Sequence, residues 1–318
     1  MKIVHVAPPE QKTPPDKYGG IERVVSWLAE AQAELGHEVH LVAPEGSATQ
    51  GGTLHLVPLG CSQEEITRQA LEVVSEVTPD VIHDHNNSQL VFQQRPDLPV
   101  VGTQHNKTMF RHPWMVKNCH AEARRLGGGP VVHYGMDLSE YPYAAERGKE
   151  LLYLGAMHPR KQVHHVMDAA KSLGMPLCVA GPDRHPEYFA TEIKPRLGGQ
   201  IRWLDAVGGQ EKLDLLQGMR ALVLPSKWES FGIVLTEAMS CGKPVVAWDN
   251  GPARELIKQG VTGYVYRWKC GLRAALKRVD DLRGEDCRSH VEEHFTARRM
   301  AEDYLRVYRD RIAAGSGS

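Results

Sequence analysis

Residues 228–237 read WESFGIVLTE and follow the apolar run ALVLPS at 221–226. A short apolar run bounded by turn residues has the length of a buried strand. From Gly232 the pattern turns helical as far as Ser240 and stops at Cys241-Gly242, the kind of glycine stop that ends helices. A strand that passes through glycine into a helix is half of a parallel βαβ unit. At such a junction the backbone N–H groups of Phe231, Gly232 and Ile233 lie near a helix N-terminus, where they can hold the oxygens of an anion. Gly232 carries no side chain to block close approach. Glu229 lies in the loop and Glu237 within the helix, and a carboxylate can accept hydrogen bonds from sugar or ribose hydroxyls. Taken alone, the pair reads equally well as a solvated loop acid and a helix-surface acid.

Outside this stretch, short apolar runs alternate with helical patterns. IVHVAP (3–8) reads as a strand, ERVVSWLAEAQAELG (22–36) as a helix ending at Gly36, and HEVHLVAP (37–44) as the next strand. HLVPL (55–59), a helix over about 63–77, DVIHDH (80–85), PVVGTQH (99–105) and PVVHYG (130–135) continue the series. The pattern then restarts. ELLYLGA (150–156), QVHHVMDAAKSLG (162–174), PLCVAGP (176–182), IRWLDA (201–206), ALVLPS, PVVAWD (244–249) and GYVY (263–266) give a second set. Strands alternating with helices mean parallel sheets. The polar segment LSEYPYAAERGK (138–149) reads as the linker between the halves, and TARRMAEDYLRVYRDRI (296–312) as one long amphipathic helix. Ligand is then expected at the carboxyl ends of the strands, in a cleft between two doubly wound domains.

The bulk numbers agree with a soluble globular protein of two domains. The chain has 318 residues, 42% apolar and 24% charged, with a net charge of −1. This balance gives no reason to expect a nucleic-acid partner. No apolar run has the length of a membrane span, and MKIVHVAP reads as a first strand rather than a signal peptide. The six cysteines are scattered without a C-x-x-C and read as free thiols, so a cytoplasmic location is expected. The closing Gly-Ser-Gly-Ser (315–318) reads as an appended tail.

Other motifs lie just after strands. LGAMHPRK (154–161) brings Arg160 and Lys161 to a strand end, where two cations suit a diphosphate, although a solvated basic turn is the commoner meaning. YGGIER (18–23) sets Gly19 and Gly20 before a helix, a second place for close backbone approach to phosphate. No G-x-G-x-x-G follows the first strand and no G-x-x-x-x-G-K-[ST] occurs, which argues against nicotinamide and flavin chemistry. His105 follows PVVGTQ and should face ligand, as should His83 and His85 after DVI. His83-x-His85 has the spacing of half a metal site, but no third ligand is placed, and no metal is expected. The stretch 107–125, KTMFRHPWMVKNCHAEARR, mixes cations with Met, Phe and Trp. A membrane contact is weighed there and set below a partly buried acceptor-side wall, because Pro113 and the polar residues break any clean stripe.

YGGIERVVSWLAEAQAELGHEVHLVAP (18–44), DVIHDH (80–85), TQHN (103–106), LYLGAMHPRK (152–161) and ESFGIVLTEAMSCGKPVV (229–246) together resemble retaining glycosyltransferases of family 4. The last run carries the Glu-x7-Glu signature of that family. The resemblance implies the α/β GT-B fold: two Rossmann-like doubly wound parallel-sheet domains facing a cleft, with a C-terminal helix crossing back to the N-domain. It implies an acceptor-side domain at 1–142, a nucleotide-sugar donor domain at 143–295, the returning helix at 296–313 and a tail at 314–318. It further implies transfer of a hexose from a nucleotide diphosphate sugar, UDP- or GDP-linked, to an acceptor hydroxyl with retention and without metal or other cofactor. By the same resemblance Glu237 holds ribose, Glu229 the donor sugar with Ser230, Phe231, Gly232 and Ile233 beside it, and Lys161 the phosphates. Gly19 and Gly20 face the phosphates from the other domain, His105 lies near the reaction centre, and Val207 falls near the base-binding loop.

One departure stands out. The family commonly has Gly-Arg where this chain has Gly155-Ala156, and that arginine binds the diphosphate, so Arg160 is its candidate substitute. The acceptor (a small molecule, a glycan or a lipid-linked sugar) and the oligomeric state are not specified by these motifs. A nucleotide-sugar epimerase or hydrolase of the same fold, and a non-catalytic nucleotide-sugar binding protein, remain the alternatives.

Overall fold

The computed structural model describes residues 1–106 and 110–315. Lys107–Met109 of the mixed stretch 107–125, and residues 316–318 of the expected tail, lie outside them. The described residues form two compact units, Met1–Asp137 with the segment from Phe295 onward, and Leu138–His294.

The first unit is built on a six-stranded sheet of β1 (Lys2–Val6), β2 (Glu38–Pro44), β3 (Thr53–Val57), β4 (Val81–Asp84), β5 (Val100–Thr103) and β6 (Met115–Val116). Their order is β3-β2-β1-β4-β5-β6, with every pairing parallel. The second unit repeats this plan with β7 (Leu151–Leu154), β8 (Leu177–Ala180), β9 (Ile201–Leu204), β10 (Ala221–Leu224), β11 (Val245–Trp248) and β12 (Gly263–Tyr266). Its order is β12-β11-β10-β7-β8-β9, again all parallel. In both sheets the first strand in sequence is flanked by the second and the fourth, so the order reverses beside it. That reversal marks the ligand-binding edge in doubly wound sheets.

The two faces of the first sheet differ. Val4, Val6, Val42, Ile82 and Val100 pack on Ile66, Ala70 and Val74 of the helix Gln63–Val77. Alternation along the strands sends the intervening residues to the other face. There the registered pair His5 and His83 is buried with Thr103. That layer is covered by the helix Gly20–Glu34 and by the C-terminal helix Ala297–Gly315, which pack on each other. In the second unit the sheet and the helices Val163–Leu173 and Lys269–Leu276 enclose Leu177, Val179, Val223, Val246, Val166 and Leu272. The polar segment 138–149 is built into this unit. The fully buried Lys243 ammonium donates to the carbonyls of Ala144, at 2.7 Å, and Glu146.

One expected strand is corrected. PVVHYG (130–135) makes only a single bridge, Val131 to Lys117, and the sheet edge is taken by β6 instead. Pro130 has no N–H to give a ladder, and three glycines with positive φ, Gly127 to Gly129, bring the chain in along a turn. The helix Gly284–His294 was not read from the sequence; its pattern is mostly charged, with only Cys287 and Val291 buried.

Leu177 is fully buried in the core of the second unit. Leu177→Ala should destabilise that unit by about 2–5 kcal/mol through lost burial and the cavity left behind. Urea unfolding followed by tryptophan emission checks this.

Candidate functional site

In the second unit the chain leaves β10 and enters the helix Ile233–Ser240 through Gly232, at φ +95°. That is a left-handed conformation that L side chains rarely adopt. No side chain caps this helix, and in its first turn the Leu235 N–H donates to the Gly232 carbonyl at 2.9 Å. Phe231 is buried at 2% exposure and anchors the turn. Glu229 and Lys161 meet on one side of this terminus, Nζ to Oε1 at 2.5 Å, each side chain 13% exposed. Lys161 ends the 3-10 turn Pro159–Lys161, whose start is capped by the His158 ring accepting from the Arg160 N–H. The Lys227 N–H donates to the Arg160 carbonyl at 3.1 Å and ties this loop to the one that carries Glu229. Arg160 is exposed and makes no ion pair among the described residues.

Glu237 lies within the same helix and is 2% exposed. Lys212, from the helix Gly209–Gly218, donates to its Oε1 at 2.6 Å, and the Tyr141 hydroxyl donates to the same oxygen at 2.8 Å. Oε2 receives no hydrogen bond among the described residues. A buried carboxylate is tolerated because its charge is met on one oxygen, which leaves the other to accept from a ligand. Neither Lys212 nor Tyr141 was singled out from the sequence. Lys212 lies in a stretch, 207–220, to which no element was assigned, and Tyr141 lay in the expected linker. Val207, just beyond β9, is buried, as is Ala156 beyond β7. The structure thus brings together Lys161 and Glu229, and places Ser230, Phe231, Gly232, Ile233 and Glu237 along one loop and helix.

In the first unit Gly19 is buried before the helix Gly20–Glu34, and a Cβ there would sit 2.8 Å from Pro15 carbons, so this position is held by close packing. Glu22, in the first turn, is buried, and burial raises its pKa. An acid already stands at that helix start, which weakens it as an anion site.

The histidines of this unit form a hydrogen-bonded set. The His5 ring meets Gln32 Oε1 through Nε2 at 2.8 Å and His85 Nε2 through Nδ1 at 3.0 Å. His85 Nδ1 meets His105 Nε2 at 3.0 Å, and His105 Nδ1 meets the Tyr134 hydroxyl at 2.6 Å. His83 pairs through Nδ1 with the Tyr308 hydroxyl at 2.6 Å and through Nε2 with Thr103 at 2.7 Å. Burial drives His5 down to about 4 and His105 to about 3, and holds His83 and His85 well below the ordinary histidine value. All four rings are therefore neutral at pH 7. Ligand atoms of His5, His83 and His85 lie within 4.8 Å of one another. His5 is the third ligand that sequence spacing did not supply. Each nitrogen of the three rings already has a protein partner, so a metal would have to displace those bonds. Asp84, buried between them in sequence, is pushed up to about 6 by burial.

Two family models match the chain, "Glycosyltransferase Family 4" over residues 18–130 and "Glycosyl transferases group 1" over 142–282. Glycogen synthase of Mycobacterium tuberculosis is 27% identical over an alignment covering 84% of this chain and 84% of its own. Among solved structures, AviGT4, a glycosyltransferase involved in avilamycin A biosynthesis, superposes with a TM-score of 0.85 at 28% identity, covering 98% of each chain. The Anabaena HepE protein, solved with UDP and glucose, shares the fold with a TM-score of 0.75 at 17% identity, over 98% of this chain and all of its own. The fold and this likeness define a glycosyltransferase of the GT-B class. The chain belongs to glycosyltransferase family 4 and is a hexosyltransferase. No helix among the described residues is long and apolar enough to cross a membrane.

The neutral rings predict an acid-sensitive first unit. With folded pKa values below the unfolded value of about 6.5, the unfolded chain binds more protons, so stability rises with pH and is fully present above about pH 6.5. It should fall as pH drops from there towards 4 for His5 and 3 for His105, by at most about 1.4 kcal/mol per pH unit for each ring. The raised pKa of Asp84 acts in the opposite sense, losing stability as pH rises from about 4 towards 6. Thermal unfolding against pH should therefore show a net acid loss below 6.5, with a shallower slope in His5→Gln.

Proposed function

We propose that the chain transfers a hexose from a UDP- or GDP-linked sugar to an acceptor hydroxyl, with retention of configuration and without a metal ion. The observation that carries this is the uncapped helix N-terminus at Gly232, with Lys161 and Glu229 on one side and the half-satisfied Glu237 behind it. A helix N-terminus, a lysine and the exposed Arg160 suit the two charges of a diphosphate, which otherwise calls for a divalent cation. Arg160 then takes the task that Ala156 leaves undone. Glu237 Oε2 accepts from ribose hydroxyls, and Val207 lies by the base.

Donor binding exchanges partners without stranding a charge. The phosphates take the Lys161 ammonium, and the sugar hydroxyls take the released Glu229 carboxylate. As the sugar departs, negative charge grows on the phosphate oxygen, where fixed cations and amides stabilise it most. The leaving phosphate takes the acceptor proton from the same face. His105 serves near the reaction centre as a neutral wall. HepE, solved with UDP and glucose, supports a UDP-sugar as the first donor to try. The acceptor is a small molecule, a glycan or a lipid-linked sugar.

Melting in the presence of UDP, GDP, ADP and NAD tests the donor site. A ligand at a hundredfold excess over its dissociation constant stabilises by about 2.7 kcal/mol. One nucleoside diphosphate should shift the transition and NAD should not; no shift with any of the three diphosphates overturns the reading. Glu237→Ala should weaken binding of the same nucleotide by about tenfold or more, the worth of a hydrogen bond to a charged group. Lys161→Ala should lower transfer by about a hundredfold or more. Release of free sugar without acceptor would instead mark a hydrolase, and an inverted anomer in the product would exclude retention.

A further inference from the structure

The tautomers of three imidazoles in the first unit follow from one side chain. Gln32 Oε1 can only accept, so the His5 Nε2 that meets it at 2.8 Å carries the hydrogen. The Gln32 amide nitrogen donates to the Tyr308 hydroxyl at 3.3 Å, which orients the amide this way. A neutral His5 then has a bare Nδ1, so the His85 Nε2 at 3.0 Å must donate to it. The same logic leaves His85 Nδ1 bare and makes His105 Nε2 the donor at 3.0 Å. His105 Nδ1 is left as an acceptor, and the Tyr134 hydroxyl at 2.6 Å donates to it. Asn118 donates to the Tyr134 oxygen at 2.9 Å, which is compatible with that hydroxyl giving its own proton to His105. Burial keeps the rings neutral, so each has one donor and one acceptor nitrogen.

We propose that Gln32 is a positioning residue for transfer: through His5 and His85 it sets the tautomer of His105, so that the three rings form one directional chain ending at Tyr134. The proposal rests on the placement of His105 near the reaction centre. Both ring nitrogens of His105 are then spent on the protein. The ring offers substrate its C–H edge and face, not a base or an N–H, and its orientation is fixed from 27 residues up the chain from His5. The direction has a definite alternative. Without an acceptor at position 32, a buried Nε2–H on His5 would be stranded. All three rings then do better by moving their hydrogens to Nδ1, with Tyr134 turning from donor to acceptor. A buried unmet acceptor is tolerated more readily than a buried unmet donor, and the exchange is open only if the whole chain reverses, so the three rings should switch together.

Long-range 1H–15N spectra of the side chains read this directly. Wild type at pH 7 should show His5, His85 and His105 as Nε2–H tautomers. Gln32→Leu should turn all three to Nδ1–H and, by reversing the dipole of the His105 ring, lower kcat by roughly tenfold or more. Gln32→Glu keeps the acceptor and should restore both the tautomers and the rate. Any Nδ1–H or doubly protonated ring among the three in wild type overturns the proposal, with no variant needed. So does an unchanged rate in Gln32→Leu whose rings have switched. The expected wild-type tautomers in a protein that transfers no sugar would instead overturn the placement of His105 at a reaction centre, and the role of Gln32 in transfer with it.

Discussion

Parallel pairing is the constraint from which the site follows. A parallel strand can be followed by another only through a crossover, so every loop that leaves a strand end emerges at the same sheet edge. In both units the first strand is flanked by the second and the fourth, and crossovers on its two sides run apart. The loops beside it are therefore splayed. Glu229 follows β10 and Lys161 follows β7, the two strands that meet at the reversal of the second sheet. His85 follows β4 and the Gly19-Gly20 loop follows β1, the pair at the reversal of the first. The proposed site residues gather there because the topology leaves those loops open.

The two units fill these edges with opposite electrostatics. The second gathers full charges and balances them internally: Lys161 with Glu229, Lys212 with Glu237. Each pair is only partly buried on its basic side, which keeps the desolvation penalty modest and leaves the partners exchangeable. The first unit gathers imidazoles and removes their charge by burial. A ligand with two phosphates is matched by the first kind of edge and not by the second.

The parallel sheets, the βα junction at Gly232 and the placing of Arg160 and Lys161 just past a strand were legible because each depends on local pattern; the pairing of Lys161 with Glu229, 68 residues away, was not. Apolar runs report strands, and a glycine between a strand and a helix reports a helix start. PVVHYG failed because its apolar run looked like a strand while Pro130 and three glycines denied it a ladder. The partners of Glu237 were not legible. Tyr141 is 96 residues away and Lys212 is 25, and no periodicity connects them. His83 and His85 stood out by their spacing, but His5 sat in an ordinary strand and Gln32 in an ordinary helix. Their meeting is set by register, His5 opposite His83, and by which helix covers that face.

The polar layer also explains how the last helix finds its seat. Tyr304 and Tyr308 lie four residues apart on one face of Ala297–Gly315 and reach Thr103 and His83, both at 2.6 Å. Arg299, a turn earlier, donates to the carbonyls of His133 and Tyr134 at 2.9 and 3.0 Å. Apolar ridges alone would let a helix turn or slide by a residue at modest loss, since packing tolerates rearrangement that keeps volume. Two buried hydroxyls and a guanidinium do not, because a slip leaves each donor or acceptor unmet in a dry interior. The same layer that keeps the histidines neutral thus sets the register of the helix that returns the chain to the first unit. A substitution in Tyr304 or Tyr308 would act on the imidazoles and on the helix at once.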